Sequence, residues 1–324
     1  MADDPALTRP ALTRPALTRP GRPRVIAVVV TYNRCHLLLE ALAAVHSQSR
    51  APDAVLVVDN ASTDQSAAAV RARFPSVQVA ELARNTGGAG GFAYGMGLAL
   101  AAGADLIWLM DDDTVPEPLA LRALLRARDR HPGRPPALIA SRVLWTDGRA
   151  HPMNTPRTRP LATRAQRLAA ARAGCLPIRS ASFVSVLVAA SECRQRGLPR
   201  ADYFLWNDDF EFTARLLRGG TGLLCPASVV VHKTLTFGST DADPGPRFFY
   251  EVRNKIWTLR ARAPLSLVER VLYGGSTLRR WARTFARSRD RRALSRHLIR
   301  GLAAGVRTSP RPNEEVLAEA GQPG

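Results

Sequence analysis

Residues 105–113 read Asp105-Leu106-Ile107-Trp108-Leu109-Met110-Asp111-Asp112-Asp113, an apolar β-type run that stops at three consecutive carboxylates. Toward the N-terminus lie a strand over 25–31, a helix over 35–47, a strand over 54–59, a helix over 63–73 and a strand over 77–82. A Gly-rich loop and a helix to about residue 102 complete this half. Strands alternating with helices predict parallel βαβ units under right-handed crossovers, hence an α/β fold with helices on both faces of a mostly parallel sheet. Ligands of such sheets collect beyond the carboxyl ends of the strands. Asn33, Asp59 and the Asp111, Asp112, Asp113 triplet follow three of those ends and are expected in one crevice.

Toward the C-terminus the pattern loosens. A helix is expected over 116–130 and strands over 137–145, 181–190 and 222–231, the last ending at His232. A helix is expected over 208–218. Residues 146–177, rich in Pro and Arg without clear periodicity, read as a long loop flanking a site. Residues 247–306 read as helices, followed by a polar tail. The chain divides into a leader over 1–23, where Pro-Ala-Leu-Thr-Arg repeats three times and predicts disorder, a catalytic-type domain over 24–262, a basic helical extension over 263–306 and a disordered tail over 307–324.

Composition narrows the class. At 324 residues, with 46% hydrophobic and 23% charged residues, the chain can bury a core. No apolar run is long enough to span a bilayer, and no secretory signal is visible. Four scattered cysteines predict free thiols in a reducing cytoplasm. Of 46 basic residues only Lys233 and Lys255 are Lys. Between residues 253 and 311 stand 16 Arg or Lys against Glu269 and Asp290, so the +19 formal charge is localised and seeks polyanions, nucleic acid or an anionic membrane. A nucleic-acid binder would leave residues 25–257 unexplained and would interleave aromatics among the arginines, of which none follow Phe285.

The acids carry the chemistry. In extended chain Asp111 and Asp113 face one side and can grip a hard divalent ion, whereas a solvated helix-capping turn needs one carboxylate rather than three. His232 at a neighbouring strand end is a plausible third ligand, its imidazole suiting Mn²⁺ better than Mg²⁺. Asp59 can accept hydrogen bonds from a base or ribose, while Ser62 or Thr63 caps the following helix. Arg84-Asn85-Thr86-Gly87-Gly88-Ala89-Gly90-Gly91 offers backbone N–H groups at a helix N-terminus, an anion site. Gly88 through Ala93 also fits a dinucleotide fingerprint with Asp111 as its distal acid, but the loop does not follow its strand directly. Asp208, Asp209 and Glu211 stand at a helix start, where acids are favoured anyway. The aromatic patch around them is what a general base beside a sugar requires.

Taken in order, Thr31-Tyr32-Asn33-Arg34, Asp59-Asn60, the Arg84-to-Phe92 run, the triplet and Trp206-Asn207-Asp208-Asp209 resemble a family 2 glycosyltransferase of GT-A fold. With Arg247 to Asn254, they are most similar to bacterial galactofuranosyltransferases and next to rhamnosyltransferases of cell-wall polysaccharide assembly. The resemblance implies an inverting enzyme using a nucleotide-diphosphate sugar, UDP-galactofuranose first and dTDP-rhamnose second. It implies donor contacts from Thr31, Asn33, Arg34, Asp59, Arg84, Asn85 and Asp112, and Mn²⁺ or Mg²⁺ on Asp111, Asp113 and His232. Asp209 would be the base, or Asp208 because Asn207 enlarges the acidic motif, with Trp206 and Glu211 on the acceptor side. A lipid-linked glycan acceptor and peripheral attachment to the inner membrane face follow, the latter through a basic amphipathic stripe at Leu265, Val268, Leu272, Leu278, Trp281 and Phe285.

Overall fold

The computed structural model describes residues 22–237 and 244–321. The Pro-Ala-Leu-Thr-Arg repeats lie outside them.

The first half alternates as expected: β1 Val25–Thr31, α1 Cys35–His46, β2 Ala54–Asp59, α2 Ser66–Arg73, β3 Gln78–Glu81, α3 Gly87–Ala101 and β4 Leu106–Asp111. β1 pairs parallel with β2 and β4, and β2 with β3. Alternate residues of β1 enter opposite clusters. Val25, Ala27 and Val29 pack under α1 and α4 (Ala120–Arg130), while Ile26, Val28 and Val30 pack under α3. A sheet buried on both faces explains why β1 is apolar without interruption.

The second half adds β5 Thr114–Pro116, β6 Leu138–Leu144, β7 Arg157–Thr158, α5 Arg164–Arg172, β8 Leu176–Ser180, β9 Val186–Ala189, α6 Ala190–Arg196, α7 Asp208–Leu217 and β10 Gly222–His232. The strand order is β3-β2-β1-β4-β9-β6-β10-β8-β7, with β5 paired to β10. β9 runs antiparallel between β4 and β6, so the sheet is mixed.

Three expectations need correction. Residues 146–177 are not one long loop, because α5 forms there on a Thr163–Gln166 capping box and β7 and β8 extend the sheet. The glycine run is not a loop but the first turns of α3. A Cβ at Gly91 would sit 2.5 Å from Val30 Cγ1 and one at Gly95 2.6 Å from Val28 Cγ1, so these glycines let α3 settle onto β1. A dinucleotide fingerprint requires a loop here, and the helix removes it. The tail is not wholly without structure: α11, Asn313–Ala318, docks Val316 against Ala93 and Ala201.

After α8 Phe248–Arg260, the basic extension comprises α9 Leu267–Arg287 and α10 Arg291–Arg307. Its expected apolar stripe splits in two. Trp281 and Phe285 pack with Phe248, Val252 and Leu294, and Leu265 is buried against Phe210. Leu267, Val268, Val271, Leu272 and Leu278 instead lie exposed. No helix among the described residues is long and apolar enough to cross a membrane.

Candidate active site

The ends of β1, β2 and β4 converge, and strand register brings in the histidine. β5 doubles back from the triplet and pairs antiparallel with β10, setting His232 opposite Thr114. Lys233 N–H donates to the Asp113 carbonyl at 2.8 Å. Ligand atoms of Asp111, Asp113 and His232 consequently lie within 4.8 Å of one another.

His232 Nδ1 stands 2.8 Å from Asn154 Oδ1, and Nε2 2.9 Å from Asp113 Oδ1. An amide oxygen only accepts, so Nδ1 carries a proton; burial opposes a charge on the ring, but Asp113 and Asp111 raise His232 above its ordinary value and so favour a second proton on Nε2 when no cation is bound. Asp113 Oδ1 is buried and makes no aligned hydrogen bond. Close donors without a bond between them need a shared cation or a second proton. Two carboxylates and one imidazole are a donor set that Mn²⁺ or Mg²⁺ accepts, so these residues fit such an ion.

The carboxylates have unlike environments. Burial, reinforced by Asp113, pushes Asp111 up to about 7. Burial pushes Asp112 up to about 6 against the pull of Arg34. Asp113 is buried too, but His232 and Arg34 hold it below the ordinary carboxylate range. Arg34 Nη1 lies 2.7 Å from Asp113 Oδ2 and 3.3 Å from Asp112 Oδ1. Asp112 Oδ2 also accepts from Thr31 Oγ1 at 2.8 Å and from Tyr32 N–H at 3.3 Å. Thr31, Arg34 and Asp112 thus bind one another and frame the triplet.

The other donor-side residues divide. Asp59 is buried, its Oδ1 accepting from Ser62 N–H at 2.8 Å, and Asn33 Oδ1 accepts from Thr63 N–H at 2.7 Å. Ser62 and Thr63 therefore stitch β1 to β2 instead of capping α2, which begins at Ser66. At the start of α3 two amides are already engaged, Gly87 N–H by Asn85 Oδ1 at 2.7 Å and Ala89 N–H by Phe204 O at 3.2 Å. Gly87 has φ +70, and a Cβ there would lie 1.9 Å from Phe204 O, so only glycine fits. That close approach turns the expected anion site into a helix–loop joint. Arg84 is drawn away to α11, with Nη2 2.6 Å from Glu319 Oε2 and 3.2 Å from Val316 O.

Opposite the triplet, the loop before α7 carries left-handed backbone at Phe204, Trp206 and Asn207. Such strain persists only where the surroundings impose it. Asn254 of α8 does so, its Nδ2 donating to the carbonyls of Tyr203, Leu205 and Trp206 at 2.8, 2.9 and 2.8 Å. Asp208 and Asp209 open α7 into a cavity of about 550 Å³ that Asp111, His232 and Trp206 also line. Burial, reinforced by Asp209, raises Asp208 well above the carboxylate range. Burial raises Asp209 as well, but Phe210 N–H, Lys255 and Arg157 favour its anion. Glu211 does not join them. It is fully buried, clasped by Arg215 Nε at 2.8 Å and Nη2 at 3.0 Å, and leaves the acceptor set for the core.

Sequence reasoning missed Asn154, Arg157 and Lys255, and Glu251 and Asn254 entered only within the Arg247-to-Asn254 motif, without a role. One signal was available for Lys255: a chain that writes nearly every cation as Arg keeps a Lys there. Asn154 and Arg157 lie in the stretch read as loop.

A family model described as "Glycosyl transferase family 2" matches residues 26–171. The galactofuranosyltransferase GlfT1 of Mycolicibacterium smegmatis is 36% identical over 60% of this chain and 66% of its own length. GlfT1 of Mycobacterium tuberculosis is 32% identical over 72% of this chain and 82% of its own. Among solved structures, S. aureus TarS 1-349 in complex with UDP-GlcNAc superposes with TM-score 0.61 at 14% identity, covering 91% of this chain and 84% of that one. The Pyrobaculum calidifontis mannosyltransferase PcManGT in complex with GDP-Man and Mn2+ superposes with TM-score 0.51 at 20% identity, covering 92% and 79%.

Proposed function

The chain belongs to glycosyl transferase family 2 and has the GT-A fold, and on that premise we propose that it moves galactofuranose from UDP-galactofuranose, with inversion, to a lipid-linked or polysaccharide acceptor of the cell envelope. The observation that carries this reading is the facing of Asp111 and His232 by Asp208 and Asp209 across one cavity. The two relatives named galactofuranosyltransferases support the choice of sugar over rhamnose.

The residues divide the work. Asp59 and Asn33 lie beside the β1 and β2 ends, where a base and ribose would rest. Asp111, Asp113 and His232 would hold Mn²⁺ or Mg²⁺, which supplies positive charge against the charge developing on a departing diphosphate. Asp209, whose burial raises it toward a base while Phe210 N–H, Lys255 and Arg157 favour its anion, takes the proton of the acceptor hydroxyl. The acceptor oxygen bonds to the anomeric carbon as the bond from that carbon to the diphosphate breaks, and the nucleoside diphosphate leaves with the electron pair. Trp206 offers an aromatic wall to the sugar. Arg34 offsets part of the charge of Asp112 and Asp113, which lessens the repulsion of an anionic donor by the triplet.

The exposed apolar residues of α9, set among Arg270, Arg279 and Arg283, form the face of a helix that lies on anionic lipid, the support for peripheral attachment to the inner leaflet. Thermal-shift titration with a panel of nucleotide sugars plus Mn²⁺ tests the donor, since a ligand bound only by the folded state raises the melting temperature according to its affinity. UDP-galactofuranose should stabilise most; a larger shift with dTDP-rhamnose would reassign the sugar.

A further inference from the structure

Glu251 and Lys255 stand one helical turn apart on α8, the spacing at which Glu and Lys ordinarily pair. Here they do not. Glu251 Oε2 accepts from Asn207 Nδ2 at 2.8 Å, and Oε1 accepts from Trp281 Nε1 at 3.2 Å and pairs with Arg280. Lys255, only 4% exposed, turns its Nζ into the cavity instead, 4.6 Å from the centre of the Phe210 ring. Arg157, exposed on β7, lines the same cavity, its guanidinium 5.3 Å from that ring and 5.3 Å from Tyr273. Neither cation has a hydrogen-bonded or ion-paired carboxylate among the described residues. Both therefore attend one aromatic ring, and Asp209 acts on Lys255 only at longer range.

Of the two only Lys255 is buried, and buried charges in folded proteins are paired or hold a ligand, because an unpaired one costs roughly several kcal/mol of lost solvation. Cation–π contact returns about 0.5 to 2 kcal/mol and does not offset that. Burial and Arg157 accordingly depress Lys255 to about 7, and an anion bound in the cavity would restore its charge. Both cations gather on the ring of Phe210, the residue after Asp209 on α7, whereas Asp111, Asp113 and His232, where the donor diphosphate belongs, form a cluster of their own, so the cations serve the Asp209 side of the cavity.

Resting on the transfer reading above, we propose that Lys255 and Arg157 form an anion subsite on the acceptor side of Asp209, which takes a phosphate or diphosphate ester carried by the acceptor. Two cations about one ring suit an oxyanion bearing more than one charge better than a single carboxylate. The subsite would hold the acceptor by its phosphate linkage while the sugar hydroxyl meets Asp209.

The test is binding of farnesyl diphosphate to the full chain, followed by thermal shift and calorimetry in Mn²⁺ with UDP saturating, against farnesol as the uncharged control. Farnesyl diphosphate should bind without displacing UDP, and farnesol should bind at least tenfold more weakly. Lys255→Met and Arg157→Gln should each weaken the diphosphate at least tenfold, with melting temperatures in the absence of ligand showing that both variants fold. Competition with UDP, or equal affinity in wild type and both variants, would overturn the subsite. Failure of UDP itself to bind in Mn²⁺ would overturn the transfer reading instead, and loss of farnesyl diphosphate binding in Lys255→Met would then still support the subsite.

Discussion

His232 Nε2 and Asp113 Oδ1 stand 2.9 Å apart, an ion pair when the imidazole is protonated, because β5, which starts just after Asp113, pairs antiparallel with β10 in a register that sets His232 opposite Thr114. The neighbouring Asn154 Oδ1 holds the opposite ring nitrogen, which keeps a proton on Nδ1 and aims Nε2 at Asp113, where a cation would take the place of its proton.

Asp113→Ala should abolish both transfer and the thermal stabilisation by donor plus Mn²⁺. Asp113 is buried rather than solvent-facing, but Arg34 retains Asp112 as a partner, so the fold should survive. Asn154→Ala, which frees the imidazole to rotate, should weaken Mn²⁺ binding by about 10- to 100-fold in a paramagnetic resonance titration. Undiminished transfer in EDTA would refute the metal assignment.

Asp209→Asn keeps shape and hydrogen bonding but removes basicity. Turnover should fall by about 10² to 10⁴ with UDP and Mn²⁺ still bound, as single-turnover kinetics beside calorimetry would report. If Asp209→Asn turns over normally and Asp208→Asn does not, the base is the first acid of the pair. If both are active, neither is the base.

Lys255 gives the stability of the ligand-free protein a pH dependence of known sign. Its amine falls from an ordinary 10.5 to about 7 on folding. Between those values the unfolded chain binds the additional proton, so stability rises with pH across about 7 to 10.5. The cost of burying the charge is full below about 7. Lys255→Met should therefore unfold at higher denaturant than wild type at pH 6, and the gap should narrow by pH 10. A constant gap across that range would contradict the assignment.

The exposed face of α9 should bring the protein to anionic lipid. Val271→Ser combined with Leu272→Ser changes residues that are 69% and 59% exposed, so melting should barely move. Co-sedimentation with vesicles containing phosphatidylglycerol at low salt should fall severalfold, and wild-type binding should weaken as salt screens the arginines. Wild-type protein that stays in the supernatant at low salt would remove the membrane role.

Much of the frame was legible because period-2 and period-3.6 patterns report burial directly. β1 and β2 begin and end where the apolar runs do, and the triplet falls at the end of β4. Local signals failed where partners distant in sequence decide. The glycines from 87 to 95 have the composition of a loop, yet contact with Val28, Val30 and Phe204 makes them a helix pressed to a sheet. Glu211 lies in the same acidic turn as Asp209, but Arg215 and the direction of its side chain take it into the core.

By itself, then, the sequence determined the order of strands and helices from β1 to β4, the placing of Asp59 and Asp111 at strand ends with Asp113 just beyond, and the family resemblance, since these depend on residues close along the chain. Only the tertiary structure decided that Asn154 orients His232, that Asn254 holds the strained turn before Asp208, that α11 takes Arg84, and that Lys255 faces the cavity unpaired. Each of those rests on side chains tens to hundreds of residues apart, or on a neighbour such as Glu251 being engaged elsewhere. Hydrogen bonds and ion pairs act over a few ångströms in space, and chain spacing does not encode which distant groups will come that close.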